Sequence, residues 1–431
     1  MRLAPMFCNN IVLLRDKECN VWGQSNTDVV ITVDGVTVSA KSVDGKFMAK
    51  LAPHSAGGPF VLKVEGDGEV IEIENVYFGE VFLASGQSNM AFTLSNLPQP
   101  LDEPTEVVRM FTYERPWSES NNPAMFMRWL DINEQNASGL SAAASHFAIE
   151  LANKLKVPVG IVCNAQGGAN IQSWTSGDVL ENDKQYCECG WVFDPEKDLM
   201  FNPAHYLYDN SLLKVAPYTV RGVIWYQGES NADAHTSAIY AHLFDIMTKN
   251  WRELWNEPDM PFITVQIAPL KIFEGEKWEE VWNQQFIAYR NCKNVGLVTT
   301  GDIGDINDIH PREKKTLGKR LASCALNMIY GFEPSFKPAY CNKATFEDGV
   351  VTLKFEDANG SLYATKELEF VVCDENGVSH KCNKYEICGE VVKLYVDGIC
   401  PSEVSFCNVS DNEVYLYSAV GMPVYPFTVR L

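Results

Sequence analysis

Three short polar segments each follow an apolar run, and their placement limits the possible folds more than any other feature of this chain. They are GQSNM at 86–90, YQGESNA at 226–232 and GDINDIHP at 304–311. The run before each segment has the composition of a buried β-strand. Parallel strands end at a common edge of their sheet, and open α/β folds place their sites at that edge. We therefore expect all three segments to emerge at the same edge of a parallel sheet.

The middle of the chain alternates between strand-like and helix-like patterns. Apolar residues recur at helical spacing from 144 to 155 and from 239 to 251, and a further helix is predicted from Pro311 to 329. The predicted strands between and around these helices are 79–85, 158–164, 221–227, 262–268 and 295–301. Strands joined by crossover helices predict an α/β core of three layers with a parallel sheet.

Both ends of the chain alternate at the period of a β-strand. The N-terminal runs are separated by Asp-Gly pairs at 34–35, 44–45 and 67–68, which favour hairpin turns. Similar β-rich runs return after residue 334. The predicted strands are 29–33, 60–64, 70–73, 350–355, 369–372 and 391–395. We predict an N-terminal β-sandwich at 1–76, a catalytic α/β domain at 77–332 and a C-terminal β domain at 333–431.

Charge and cysteine content narrow the possible partners and the compartment. The formal charge is −21, from 56 acidic against 35 basic residues, which disfavours nucleic acid and anionic membranes as partners. The first residues lack the apolar stretch of a signal peptide, and the 13 cysteines are an odd number that fits reduced thiols. Cys187 and Cys189 have no second pair at zinc-site spacing, so no metal site is predicted. We expect a cytoplasmic protein.

The polar segments resemble a known family when taken together. GQSNM, the Gly167 and Gly168 pair after a strand, YQGESNA and the final Ile309-His310-Pro311 are similar in order and spacing to the four blocks of the SGNH hydrolases, specifically the sialate O-acetylesterase-like branch. The opening at residues 3–7, 12–17 and 21–23 is also similar to the β-domain opening of that branch. The resemblance implies a flavodoxin-like, three-layer SGNH hydrolase core with a parallel sheet, flanked by N- and C-terminal β-sandwich regions.

The resemblance also implies an activity. It predicts a serine esterase that removes O-acetyl groups from sialic acid or from acetylated plant-glycan oligosaccharides through an acetyl-serine intermediate. No metal and no organic cofactor are implied. Two alternatives stay open at this point: a hydrolase of another small ester, such as a lipid or thioester, and a non-catalytic carbohydrate-binding protein. The sequence sets neither the sugar, the acetylated hydroxyl nor the oligomeric state.

The chemistry of ester cleavage assigns roles to two residues of these blocks. A nucleophile activated by a base is needed, together with donors for the oxygen that gains negative charge. Ser88 is the predicted nucleophile, with a helix N-cap as its alternative role. His310 lies in a polar loop after a predicted strand, immediately before Pro311, and is the predicted base and then acid. Its alternative is a surface N-cap histidine.

The third catalytic residue stays open among three aspartates. SGNH enzymes usually have an aspartate three residues before the histidine, where it orients the imidazole and stabilises its charged form. Here that position is Asn307, which can orient a histidine but supplies no countercharge. The nearby carboxylates are Asp302, Asp305 and Asp308, and none of them is singled out. A dyad without a carboxylate is the alternative, with the aspartates forming turns.

Backbone and amide groups are predicted to bind the oxyanion. The backbone N–H groups of Ser88 and Gly168 are the expected donors, joined by a side-chain amide from Gln227 or Asn231. Glycine at 168 would allow a close approach of substrate, and its alternative role is a plain turn. Glu229 lies between the two amides and is expected to brace the loops that bind substrate rather than to perform the chemistry.

The long connection at 172–210 is the predicted sugar-binding element. It contains seven aromatic residues, and connections of this length are usually functional. Flat aromatic rings suit the apolar faces of sugar rings. We expect Trp174 and Trp191 to contact an acetylated sugar or oligosaccharide, and about half of the aromatic residues to belong to the core.

Overall fold

The structure is a computed structural model that describes residues 1–97, 100–113, 125–272 and 275–431. It contains two compact units, Met1–Ser230 with His242–Phe262 and Asn231–Ala241 with Ile263–Leu431. Strands and helices alternate through the middle of the chain, and both ends are rich in strands. The predicted α/β class with additional β-sheet regions is therefore confirmed.

The strands of the described chain are numbered in order. They are β1 Arg2–Leu3, β2 Val12–Leu14, β3 Cys19–Gln24, β4 Val29–Val33, β5 Val36–Ala40, β6 Lys46–Leu51, β7 Gly57–Gly66, β8 Glu69–Gly86, β9 Val108–Thr112, β10 Trp129–Asp131, β11 Val159–Ala165, β12 Gly222–Tyr226, β13 Phe262–Val265, β14 Val295–Val298, β15 Tyr340–Glu347, β16 Val350–Glu356, β17 Leu362–Ala364, β18 Phe370–Asp374, β19 Ser379–Cys382, β20 Tyr385–Cys388, β21 Val391–Tyr395, β22 Pro401–Phe406, β23 Leu416–Ser418 and β24 Phe427–Arg430.

The α-helices are numbered in the same way. They are α1 Ser88–Ala91, α2 Ala142–Leu155, α3 Gly177–Glu181, α4 Lys184–Glu188, α5 Leu213–Val215, α6 Tyr240–Trp255, α7 Trp278–Asn291 and α8 Lys314–Tyr330. None of the helices in the described ranges is both long and apolar enough to cross a membrane.

The sheet of the first unit is mixed rather than purely parallel. Strand β11 pairs in parallel with β8 and β9, and β12 pairs in parallel with β8. Strand β10 pairs antiparallel with β9, and the sequence pattern predicted neither of these two strands. Every residue of β9, β11 and β12 is buried, and apolar residues predominate in all three.

The N-terminal hairpins turn at the predicted Asp-Gly pairs. Strands β4 and β5 pair around 34–35, and β7 and β8 pair around 67–68. Both residues of each pair have positive φ, as a hairpin turn of two residues requires. Strand β8 has 18 residues, so its first half belongs to the hairpin and its second half to the mixed sheet. A hairpin near the chain start therefore leads directly into Ser88.

The second unit contains β14 and a β-rich C-terminal region. In that region β15, β16, β21 and β20 form one four-stranded sheet, and β19, β18, β22 and β24 form another. The buried residues of both sheets share one apolar cluster. The three C-terminal strands predicted from the pattern correspond to β16, β18 and β21.

One helix boundary differs from the prediction. Helix α8 begins at Lys314, with Glu313 as its N-cap, so Pro311 lies before the helix instead of in its first turn. The backbone N–H of Lys314 donates to the carbonyl of Arg312, and this short turn separates the proline from the helix. The helix ends at Tyr330, and the cap residue Gly331 has a φ of 71°, which fits the left-handed cap that glycine favours.

Candidate active site

Ser88 lies where the longest strand becomes a short helix. Strand β8 ends at Gly86, whose φ is 126°, and a β-carbon there would collide with the backbone carbonyl of Tyr226. Gln87 is the N-cap of α1, so the alternative role of Ser88 as that N-cap is wrong. Ser88 is half-buried, whereas Gln87 and Asn89 on either side of it are buried. Ser88 is therefore partly accessible to solvent, although the residues on both sides of it are buried.

Buried hydrogen bonds join the GQSNM segment to the YQGESNA segment. The Gln87 Oε1 atom accepts the backbone N–H groups of Gly228 at 3.3 Å and Ser230 at 3.2 Å. The Asn89 Nδ2 atom donates to Glu229 Oε1 at 2.6 Å. Glu229 is only 9% exposed, and its contact with Asn89 links the two segments. Its role in bracing the loops that bind substrate stays a prediction. These bonds fix the backbone on both sides of Ser88.

The two adjacent glycines form a turn beside Ser88. A β-carbon on Gly167 would lie 3.5 Å from the Ser88 Cβ atom. The Ala169 N–H donates to the Gln166 carbonyl at 3.2 Å, and Gly168 has a φ of 74°, which favours glycine. Within the described ranges, neither the Ser88 nor the Gly168 N–H donates a hydrogen bond. Ser88 therefore has two available backbone donors in its own turn and the neighbouring one.

The side-chain amides predicted as oxyanion donors are not exposed. Gln227 is 0% exposed and donates from Nε2 to the Ala169 carbonyl at 3.1 Å. Asn231, in the second unit, is also 0% exposed and donates from Nδ2 to Thr236 Oγ1 at 2.9 Å. Both amides serve internal bonds, because a buried amide without partners would be costly. Their role as oxyanion donors stays a prediction.

His310 lies in the second unit, in a half-buried position after β14. The Asp308 Oδ1 atom accepts the His310 backbone N–H at 2.9 Å and lies 4.0 Å from His310 Nδ1. Burial lowers the pKa of His310 below its ordinary value, the Lys314 ammonium lowers it further, and Asp308 raises it. The lowered pKa favours the neutral imidazole at pH 7, which is the form that accepts a proton.

The three candidate aspartates have different surroundings. Asp302 forms a bidentate ion pair with Arg320, at 2.7 and 2.6 Å, and both side chains are 8% exposed. Asp305 is exposed and accepts the backbone N–H of Asn307 at 2.9 Å, as in a turn. Among these three, Asp308 is the carboxylate within ion-pair distance of the His310 ring. Geometry within the second unit therefore favours Asp308 as the partner.

The aromatic connection contains one ring that is inaccessible to sugar. Trp174 is 0% exposed and packs against Trp225 and Trp251, with ring centroids 6.4 and 6.3 Å away. The prediction that Trp174 contacts sugar is therefore wrong, because the ring belongs to the core. Trp191 is only partly buried and lies 6.5 Å from Tyr186, so it keeps an accessible surface. Phe201 is also buried, whereas the other aromatic residues of this connection are partly exposed.

Sequence reasoning missed two residues that shape this site. Gln87 belongs to the GQSNM motif, and its side chain also accepts hydrogen bonds from the 228–230 backbone. Asn202 lies outside every motif, and its Nδ2 donates to the Gly168 carbonyl at 2.9 Å. Asn202 lies 34 residues from that glycine, and no local pattern predicts such a contact.

Within the described ranges, no group of three or more histidine, cysteine or acidic residues could hold a metal ion.

A family model and individual relatives both identify acetylesterases as proteins similar to this chain. A family model described as carbohydrate esterase, sialic acid-specific acetylesterase, matches residues 78–327. The human sialate O-acetylesterase is 25% identical over 377 residues, covering 77% of this chain and 71% of the relative. The mouse sialate O-acetylesterase is 24% identical over 399 residues, covering 77% and 74%.

A solved structure also matches the whole fold. The crystal structure of a carbohydrate acetylesterase from Xanthomonas citri aligns with a TM-score of 0.86 and 27% identity, covering 99% of both chains. The mixed sheet and the additional β-sheet regions described above thus match a carbohydrate esterase fold.

Proposed function

The chain belongs to the carbohydrate esterase family of sialic acid-specific acetylesterases, and from that premise we propose that it removes O-acetyl groups from carbohydrate through an acetyl-Ser88 intermediate. The predicted family and the predicted enzyme class, a carboxylic ester hydrolase, are confirmed by this membership. The family supports a carbohydrate deacetylation activity, and the steps at Ser88 and His310 are the proposal.

The proposed reaction has two halves. Ser88 Oγ attacks the acetyl carbonyl carbon while His310 takes the hydroxyl proton, and the sugar oxygen leaves with that proton when the tetrahedral intermediate collapses. Water then attacks the acetyl-serine ester with His310 again as base. The proton returns to Ser88, and acetic acid leaves and ionises to acetate and a proton. The alcohol and acetic acid together contain all the atoms of the ester and of one water.

The observation that carries the proposal is the pair of available N–H groups beside a half-exposed serine. The N–H groups of Ser88 and Gly168 form no hydrogen bond within the described ranges, and Gly167 brings the two turns together. A tetrahedral intermediate needs donors of this kind for its oxyanion, and each such donor lowers the barrier by roughly 3 to 4 kcal/mol. This donor pair requires no side-chain amide.

The proposed base is His310, with Asp308 as its partner. The lowered pKa of His310 supplies a neutral imidazole, and the carboxylate 4.0 Å from Nδ1 supports the charged form that appears during turnover. The resemblance of Ile309-His310-Pro311 to the last SGNH block supports this role. Asn307, at the usual aspartate position, leaves Asp308 as the nearby countercharge.

The finer description of the fold and the setting of the protein belong to the same proposal. We propose a flavodoxin-like SGNH core at 77–332 between β-sandwich regions at 1–76 and 333–431. The four motif blocks support this division. We also propose a cytoplasmic location, which the odd number of 13 cysteines supports.

The proposed substrate is an acetylated sugar bound through Trp191. Replacing Trp191 with Ala should lower kcat/KM for acetylated oligosaccharides about tenfold while sparing p-nitrophenyl acetate, which has no sugar to stack. A variant that loses both substrates equally would contradict a sugar contact. The matched control is Val192→Ala, which removes an exposed apolar side chain from the adjacent position.

The experiment that tests the activity is acetate release from acetylated sialic acid, xylo-oligosaccharides and manno-oligosaccharides. We expect release from at least one class by the parent protein and almost none by Ser88→Ala. Sugar binding without acetate release would favour the carbohydrate-binding alternative. Release that is equal in Ser88→Ala would place the nucleophile elsewhere.

A further inference from the structure

An exposed leucine contacts the glycine that carries one of the two available N–H groups. A β-carbon on Gly168 would collide with the Cδ1 atom of Leu199, and the atoms near that position all belong to Leu199. Leu199 itself is 48% exposed. The side chain therefore covers one side of Gly168 and leaves half of its own surface to solvent.

Buried and partly buried hydrogen bonds hold Leu199 in this place. The Leu199 carbonyl accepts the Asn202 backbone N–H at 2.8 Å. The Asn202 side chain donates to the Gly168 carbonyl at 2.9 Å and accepts the Asn170 N–H at 3.1 Å. Asn202 is only 7% exposed, and its bond with Asn170 is buried while its bond with Gly168 is partly buried. The turn that carries Leu199 is thus tied to the turn that carries Gly168, and the two should move together.

The position of Leu199 limits which part of an ester it can contact. An ester oxygen bound by the Gly168 N–H lies a hydrogen-bond length from that nitrogen, so both substituents of the carbonyl carbon lie within a few ångströms of the Gly168 surface. One substituent is the acyl chain, and the other is the sugar oxygen. Leucine offers only C–H groups, which favour an alkyl chain and leave sugar hydroxyls without partners.

We propose that Leu199 is a specificity-determining residue that bounds the acyl side of the site and restricts the ester to acetyl. The proposal rests on the function proposed for Ser88 and Gly168. The leucine side chain contacts the methyl group of an acetyl ester and occupies the space that the further carbons of a longer acyl chain need. Longer acyl groups are excluded because the tied turn prevents Leu199 from moving aside.

The test compares esters that share one leaving group. The ratio of kcat/KM for p-nitrophenyl butyrate to that for p-nitrophenyl acetate isolates the acyl chain, because p-nitrophenol is common to both. Leu199→Ala should raise this ratio by about tenfold or more, since one methylene in an apolar pocket changes kcat/KM by roughly 10- to 200-fold. Leu199→Met conserves volume and should leave the ratio near that of the parent.

Val192→Ala is the control, because Val192 is 79% exposed in the same connection. It should change neither rate. Thermal unfolding by circular dichroism shows whether each variant is folded. We expect the Leu199 variants to fold because Leu199 is half exposed.

A butyrate-to-acetate ratio that stays within about twofold of the parent in folded Leu199→Ala, well below the change expected for one methylene, overturns the proposal. A variant whose ratio is unchanged but whose rate on acetylated sugars falls would place Leu199 on the sugar side, which also overturns it. Failure of the proposed function is seen separately, as a parent protein that hydrolyses neither ester.

Discussion

The serine and the histidine of the proposed mechanism lie in regions that are held by different kinds of bonds. The serine cluster, residues 86–90, 166–168 and 226–230, is fixed by buried hydrogen bonds from Gln87 and Asn89. The histidine loop, residues 299–310, is shaped near His310 by turn bonds from partly or fully exposed aspartates. The hydrogen bonds of the serine cluster fix the geometry of its backbone donors. In the histidine loop, nearby charges can shift the pKa of His310.

The largest effect should come from removing either side of the proposed pair. Ser88→Ala and His310→Ala should each lower kcat/KM at least about a thousandfold, and the double variant should be hardly worse, because residues that act as one unit are not additive. Steady-state kinetics on p-nitrophenyl acetate measures all three. Losses that multiply in the double variant would mean that the two regions act independently.

Neutralising one shielded carboxylate in each region should lower the free energy of unfolding by different amounts. Asp302→Asn leaves the buried Arg320 charge without its countercharge and should lower the free energy of unfolding by about 3 to 5 kcal/mol. Glu229→Gln keeps an oxygen that can accept from Asn89, so about 1 to 2 kcal/mol is expected. Urea denaturation gives both values. An Asp302→Asn variant as stable as the parent would show that this ion pair is not an anchor of the histidine loop.

Removing either of the two charges near His310 should shift the pH dependence of kcat/KM, and the two removals should shift it in opposite directions. Activity needs the neutral imidazole, so kcat/KM falls as pH drops through the pKa of His310, which lies below its ordinary value. Lys314→Gln removes a positive charge, raises that pKa and moves the acid limb to higher pH. Asp308→Asn removes the raising charge and moves the limb lower.

Each of these shifts should be about one pH unit or less, and Asp308→Asn should also lower the maximal rate because the imidazolium loses its countercharge. The profile of kcat/KM from pH 4 to 8 measures them, a range chosen to span the ordinary histidine pKa of about 6.5. Limbs that stay in place in both variants would exclude His310 as the group that titrates.

The smallest effect is expected at Asp305. Its carboxylate is exposed and accepts a backbone N–H within a turn, a role that asparagine also performs. Asp305→Asn should therefore keep kcat/KM within about threefold of the parent, which is less than ~0.7 kcal/mol. A loss comparable to that of Asp308→Asn would return Asp305 to the candidates for the third catalytic residue.

Local pattern was enough to predict several strands and the turn that carries Ser88. The prediction of 29–33 coincides with β4, and the turn after 79–85 coincides with the start of α1 at Ser88. These features follow from apolar periodicity and from glycine, both of which act over a few residues. The placement of Ser88 and of the double-glycine turn followed from the same signals.

The rest depended on contacts between distant residues. Trp174 lies in a connection whose aromatic content predicts a sugar-binding surface. Its ring is instead enclosed by Trp225 and Trp251, which lie 51 and 77 residues away in the sequence. The pairing of Asp302 with Arg320, and the hydrogen bond from Asn202 to Gly168, likewise have no local signature. Tertiary packing decides burial, and a single sequence shows only which residues are able to be buried.

The most direct test of the account is to find the acetyl group on Ser88 during turnover. The protein is mixed with excess p-nitrophenyl acetate, quenched in acid within the first turnovers, digested and examined by peptide mass spectrometry. The account predicts that the peptide containing Ser88 gains the mass of one acetyl group, and that the gain disappears after the substrate is exhausted and in Ser88→Ala. An active parent whose Ser88 peptide stays unmodified, with the acetyl group on another residue or on none, would contradict it.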